Sequence, residues 1–115
     1  MIEATVRNFL NEKLDVPAWL EMPKGETIPS AYVLIQKTGS SRYNHIDHAT
    51  FAIQSYNDTM AKASLLNEAV KAAMDNLITL QNISASKLNS DYNFTDTQTK
   101  QYRYQAVYDI TYKEE

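Results

Sequence analysis

Two histidines and an aspartate lie within four residues of one another, in the segment His45-Ile46-Asp47-His48. Imidazole and carboxylate groups are ligands for zinc or nickel, so this segment is the best candidate for a metal site. It falls in a polar stretch that the sequence predicts to be a loop, which supplies no fixed geometry and no obvious fourth ligand. We therefore expect His45 and His48 to be solvated, and the sequence predicts no metal site.

A serine nucleophile is the second chemical possibility, because Gly39-Ser40-Ser41 precedes the same histidines. Serine catalysis needs a nucleophile on a sharp turn, with a base and an orienting acid beside it. The G-x-S-x-G pattern that builds such a turn is absent. The only two glycines, Gly25 and Gly39, stand alone, which also argues against a phosphate-binding loop. The sequence therefore predicts no catalytic residues and no cofactor, and we expect a protein that is not an enzyme.

The amino-acid composition limits the kinds of partner that we expect. The chain has 115 residues, the size of one compact domain, and its net charge of −3 opposes broad attraction to nucleic acid. Lys100 and Arg103 lie among tyrosines, as in a nucleic-acid patch. Asp96 and Asp109 balance them, so a solvated strand face is favoured. The lack of cysteine excludes disulfides and thiolate metal sites. Without an apolar run of ~18 residues or a secretory signal, we expect no membrane partner and synthesis in the cytoplasm.

Hydrophobic periodicity predicts seven elements in the order α-β-β-β-α-β-β. Spacings of three and four residues indicate helices over Ile2–Leu14 and Met60–Leu77. Strands are predicted over Val16–Met22, Ala31–Lys37, Ala49–Tyr56, Ile83–Leu88 and Tyr102–Tyr112. This order indicates one α+β domain over residues 1–115, with a mostly antiparallel or mixed sheet of about five strands and two helices on one face. Pro17 places the first strand near a sheet edge, and Trp19 is expected in the core.

Two polar stretches are predicted to extend from this body. The first is a projecting hairpin loop at about residues 38–48, and the second is a polar loop at about residues 89–100. Loops carry function more often than cores do, so these stretches are the candidate contact surfaces. The candidate protein-interaction residues are Ser40, Arg42, Tyr43, His45, His48, Tyr92, Phe94, Lys100, Tyr102 and Tyr104.

The last strand alternates strictly: of the six alternate positions from Tyr102 to Tyr112, four are tyrosine and the other two are Ala106 and Ile110. One interpretation is that this row is the face of a strand packed under the helices. The other is that its hydroxyl-bearing rings form a contact between subunits, because tyrosine suits partly buried edges and interfaces. The pattern leaves both interpretations open.

The order of these segments resembles one known family. The chain reads V-P-A-W-L-E-M-P after the first helix, then A-Y-V-L-I-Q-K-T-G-S-S, F-A-I-Q-S-Y, N-D-T-M-A-K-A and finally Y-R-Y-Q-A-V-Y-D-I-T-Y. This pattern resembles the tail terminator proteins of long-tailed bacteriophages and prophages, also called tail completion or head–tail joining proteins. The similarity spans nearly the whole chain, and its motifs are hydrophobic patterns with no catalytic signature.

The resemblance implies a non-enzymatic subunit that closes into a ring, as a homohexamer, which caps the tail tube, stops its polymerisation and joins the tail to the head connector. It implies three partners: further copies of the chain, the tail-tube protein and the head-completion or connector protein. It also implies a virion protein at the head-proximal end of the tail, with no cofactor. The alternatives are another head–tail connector or minor capsid component, or a small metal- or nucleic-acid-binding accessory protein.

Overall fold

The computed structural model describes residues 1–25 and 27–114 and confirms the predicted α+β class and element order. A first helix, α1 (Ile2–Lys13), precedes a two-residue strand, β1 (Ala18–Trp19). The long strands β2 (Tyr32–Tyr43) and β3 (Ile46–Asn57) form a hairpin, and the second helix, α2 (Met60–Asp75), follows with a 3₁₀ turn at Leu77–Thr79. Strands β4 (Ile83–Asn93) and β5 (Tyr102–Tyr112) complete the sheet.

The sheet has the strand order β1-β2-β3-β5-β4. Strand β1 pairs with β2 in parallel, and all other neighbours are antiparallel. Strand β1 lies at one edge, as Pro17 predicted, and β4 lies at the other. Neither helix in the described part of the chain is long and apolar enough to cross a membrane.

Both helices pack on the same face of the sheet, and the hydrophobic core lies between them and the strands. The sheet side of the core includes Val33, Phe51, Ile53, Tyr108 and Ile110, and the helix side includes Val6, Leu10, Val70 and Met74. The buried hydroxyl of Tyr108 donates to Asp75 Oδ1 at 2.8 Å and approaches the Lys71 carbonyl at 3.1 Å, which ties β5 to α2. The C-terminal part of the tyrosine row, Tyr108 and Tyr112, thus belongs to the core face.

The opposite face of the sheet, called here the open face, carries no helix in residues 1–25 and 27–114. Trp19 was expected in the core, but this prediction was wrong: its ring is half-buried beside Tyr32, with 5.4 Å between the ring centroids. The cause is alternation along β1. Ala18 takes the fully buried position facing the helices, so the next side chain turns to the open face.

The prediction of a loop over residues 38–48 was wrong, because most of these residues belong to strands. Strand β2 continues to Tyr43 and β3 begins at Ile46, so only Asn44 and His45 form the connection. The pairing shifts register between Lys37 and Gly39, and beyond this point the β2 residues 38–43 are all exposed. Likewise, residues 89–93 of the predicted polar loop belong to β4, so the loop proper covers residues 94–101. These stretches were taken for loops because solvent reaches both of their faces, which removes the apolar alternation.

Candidate interaction surfaces

The hairpin tip is a two-residue turn in which both central residues have positive φ, 52° at Asn44 and 64° at His45. Type I′ hairpin turns require this conformation, and asparagine tolerates it well. The turn places Tyr43 and Ile46 opposite one another at the end of the hairpin, with 74% and 44% of their surfaces exposed. The tip therefore presents an aromatic and an aliphatic side chain to solvent on a short, defined turn.

An ion pair fixes the hairpin just behind the tip. Arg42 donates from Nε to Asp47 Oδ1 at 2.6 Å and from Nη2 to Oδ2 at 3.2 Å, and the two residues are cross-strand partners. These hydrogen bonds hold the pKa of the Asp47 carboxyl below its ordinary value. Asp47 is buried while Arg42 is exposed, so the pair secures the strand ends and leaves the stem of the arginine accessible.

The metal and triad candidates do not converge. Asp47 lies opposite Tyr112 on the helix-covered side, whereas His48 lies opposite Thr111 on the open face. His48 Nδ1 is 3.2 Å from Thr111 Oγ1, and His45 lies in the turn. No group of three or more metal-ligand side chains occurs within residues 1–25 and 27–114. Asp47 is thus a partner of Arg42 and does not orient either histidine.

A closed set of contacts, the open-face network, lies at the other end of the sheet. Arg103 Nη1 donates to the Tyr56 hydroxyl at 2.8 Å, and this hydroxyl donates to Gln54 Oε1 at 3.1 Å. Gln54 Nε2 in turn donates to Gln105 Oε1 at 2.8 Å. Gln105 Nε2 donates to the Tyr92 hydroxyl at 2.6 Å. Tyr92 meets Phe94 edge to face, and the Arg103 guanidinium lies 4.5 Å from the Phe94 ring centroid. The network therefore links β3, β5, β4 and the start of the 94–101 loop.

The network holds two exposed aromatic rings in place. Tyr92 and Phe94 expose 43% and 40% of their surfaces, although both belong to the network. Arg103 also donates from Nε to the Phe94 carbonyl at 2.7 Å, which anchors the loop backbone. Side chains that are already ordered lose less conformational entropy on binding, so Tyr92 and Phe94 are preorganised for a contact.

The other predicted contact residues are more scattered. Tyr102 and Tyr104 lie on the helix-covered side of β5 and are half-buried, away from the network. Lys100 is exposed in the loop with a φ of 55°, and Ser40 is exposed on β2 opposite Ala49. The structure therefore groups Tyr92 with Phe94, and Arg42 with Tyr43 and His45, but does not bring the ten residues into one site.

Sequence reasoning missed the residues that organise the open face. Gln54, Tyr56 and Gln105 were not singled out, and Arg103 was considered only as a basic residue. Tyr32 stacks on Tyr56 with 4.6 Å between ring centroids, and burial raises the pKa of its phenol. The available signal was the second set of alternating positions in β5, which faces away from the tyrosine row.

The hairpin tip and the open-face network lie at opposite ends of the molecule. Asp47 marks the tip end of β3 and Asn57 the network end, where it pairs with Tyr102. At about 3.4 Å per residue, these ends are separated by roughly 34 Å. The longest dimension of the molecule is 45 Å, so the two predicted extensions are two separate candidate contact regions.

A third surface is an apolar groove between the end of α1 and α2. Its lining includes Leu14, Val16, Leu66 and Ala69, with Leu65 exposed by 70% at its border. Lys13 and Lys62 lie at the rim, and Asp58 pairs with Lys62 at 3.5 Å. The groove bears no strong charge of either sign.

Comparison with known proteins identifies a similar fold. No protein-family model and no curated protein matches the sequence. The fold is similar to that of a chain in the solved virion of a native gene transfer agent particle, with a TM-score of 0.64. The similarity covers 96% of this chain and 86% of that chain at 14% sequence identity. At this identity, the comparison establishes a shared fold.

Proposed function

We propose that this chain is a structural subunit of a phage-like virion, which acts by assembling with other proteins and not by catalysis. The observation that carries this proposal is the fold similarity, over nearly the full chain, to a component of a gene transfer agent virion. The surfaces agree with it, because the exposed aromatic residues Tyr43, Tyr92 and Phe94 occur in two separate regions.

Within such a particle, we propose the role of tail terminator. The segment order from V-P-A-W-L-E-M-P to the closing tyrosine strand supports this assignment through its resemblance to that family. The chain would close into a ring of six copies at the head-proximal end of the tail, cap the tail tube and meet the head connector. Closed rings require heterologous contacts, in which two different surfaces of the same subunit meet.

The opposed contact regions suit a subunit between two axial partners. Tyr43 and Ile46 occupy one end, and Tyr92 and Phe94 occupy the other. Tyrosine, phenylalanine and arginine are enriched in the cores of protein interfaces, where a few such anchors dominate the binding energy. We propose that one end contacts the tail-tube protein and the other contacts the head connector.

The test uses the tail-tube and connector proteins from the same genome. With the tube protein present, light scattering after size-exclusion chromatography should give a terminator mass of about 79 kDa, six times 13.1 kDa, or this ring bound to tube subunits. Deletion of the gene should give tails of uncontrolled length by electron microscopy. A chain that stays monomeric with the tube protein, together with normal tails after deletion, would rule out the terminator role.

Three variants distinguish the contact regions. Tyr43→Ala should weaken binding to one partner at least tenfold, and Phe94→Ala should weaken binding to the other. Leu65→Ala is the control, because Leu65 is exposed almost as much as Tyr43 but lies on α2. If one variant weakened binding to both partners equally, or if only Leu65→Ala weakened binding, the two-ended arrangement would be wrong. Binding to connector proteins alone would favour another head–tail connector component.

A further inference from the structure

The two edges of the sheet differ in how their backbone groups are used. A free strand edge exposes N–H and C=O groups that can pair with another chain. At β1, the Pro17 carbonyl accepts from the Val33 N–H at 2.9 Å, in the register that aligns Ala18 with Val33. The alternation of a strand then directs the N–H and C=O of Ala18 away from β2, toward the sheet edge.

The side chain of Asn11 occupies this position. From α1, its Nδ2 donates to the Ala18 carbonyl at 2.9 Å, and its Oδ1 accepts from the Ala18 N–H at 2.9 Å. This is the same pair of hydrogen bonds that a residue of an adjacent strand would make. A side-chain amide is uncharged at neutral pH and both donates and accepts in such a planar arrangement.

We propose that Asn11 is an edge cap that prevents β4 of a second copy from adding to β1. The sheet itself favours this occupant, because β1 and β4 are its edges in the described residues and β4 has 11 residues whereas β1 has two. Pairing of β4 with β1 of the next copy would be heterologous and would extend the sheet from one subunit into the next. The proposal goes beyond the virion role and holds whether or not that role is correct.

The β4 edge carries its own, weaker protection. Its pairing with β5 is interrupted between Ile83 and Ala85 and again between Leu88 and Ser90, and Lys87 is exposed. Bulges and lysines are common devices that disfavour pairing along an edge. Despite these interruptions, β4 remains an extended strand of 11 residues. The cap on β1 is therefore the feature whose removal should release pairing between copies.

The experiment compares Asn11→Ala and Asn11→Asp with the wild-type chain. The aspartate retains an acceptor for the Ala18 N–H but loses the donor to the carbonyl. Asn8→Ala is the matched control, since Asn8 lies on the same helix and its side chain, among the described residues, only accepts from Arg7 Nε. Amide hydrogen exchange at Ala18 measures the cap, and sedimentation velocity over a hundredfold concentration range measures association.

For Asn11→Ala, we expect exchange at Ala18 to be at least tenfold faster and association to appear at concentrations where wild type and Asn8→Ala do not associate. Adding Ser90→Lys, which places a second lysine on the exposed part of β4, should suppress the association. Unchanged exchange in both Asn11 variants would overturn the cap. Faster exchange without new association would show that the amide only anchors α1, and association that persists with Ser90→Lys would exclude β4 as the occupant.

Discussion

The guanidinium of Arg42 and the carboxylate of Asp47 form two hydrogen bonds directly across the β2–β3 hairpin, one residue behind its exposed tip. On the β2 side the pair lies in a segment, residues 38–43, that is exposed on both faces. It therefore replaces part of the hydrophobic packing that stabilises the rest of the sheet. Its removal should affect the tip more than the core.

Asp47→Asn should lower the melting temperature at pH 7, because the neutral amide cannot form an ion pair with Arg42. The pKa of Asp47 is lowered in the folded protein, so its contribution is fully present above the unfolded-state value of about 3.9 and is lost as pH falls through the folded value. Thermal melts at pH 7 and near pH 2 should therefore show a difference between variant and wild type that shrinks in acid. Asp15→Asn, at an exposed position after α1, is the control. A difference that grew in acid would contradict the prediction.

Tyr56→Phe should reduce the free energy of unfolding by about 1–2 kcal/mol, because its hydroxyl both accepts from Arg103 and donates to Gln54. Urea denaturation measures the loss. Tyr43→Phe is the control, since that ring is largely exposed and should change stability by less than about 0.5 kcal/mol. Amide exchange at Phe94 should also accelerate. Retention of both wild-type stability and wild-type exchange would show that the open-face network does not hold the loop.

Ser55→Ala should stabilise the protein by about 1 kcal/mol. The Ser55 hydroxyl is fully buried on the helix-covered side of β3 and has no hydrogen-bond partner within residues 1–25 and 27–114. A buried polar group without a partner carries a desolvation cost, which alanine removes. Chemical denaturation should show the gain, while Ser40→Ala at an exposed position should be nearly neutral. Destabilisation by Ser55→Ala would indicate an ordered water bound to the hydroxyl.

His45→Gly should stabilise the hairpin by about 1 kcal/mol, because a left-handed conformation costs a non-glycine residue about 1–2 kcal/mol. Asn44→Gly should gain less, since asparagine adopts this conformation more readily. Equilibrium unfolding of both variants tests the difference in sign and order. If His45→Gly gained stability but lost binding to a partner protein, the histidine side chain would be a contact residue in its own right.

The sequence was most informative where one strand face is buried and the other is not. Tyr102–Tyr112 was predicted with its correct bounds, because alternation between core and open face persists along β5. Prediction from the sequence failed for residues 38–43, where both faces of β2 meet solvent and no apolar alternation marks the strand. There, pairing with β3 and the Asn44-His45 turn determine the structure.

The contact surfaces were harder to predict than the fold. Tyr56 and Arg103 are 47 residues apart in the chain, and they meet only because β3 and β5 are neighbours in the sheet. Periodicity identifies which face a residue occupies but does not give strand order. By contrast, local composition was sufficient to identify the exposed Tyr43, Tyr92 and Phe94.

The separation of the two contact regions along β3 and β5 also has a mechanical consequence. A pull between the hairpin tip and the 94–101 loop would act parallel to these paired strands, over the 11 residues of β5. Their hydrogen bonds lie perpendicular to that direction and would have to fail together, rather than open one after another. The chain would therefore resist tension along these strands far better than a force that peeled β4 from its neighbour.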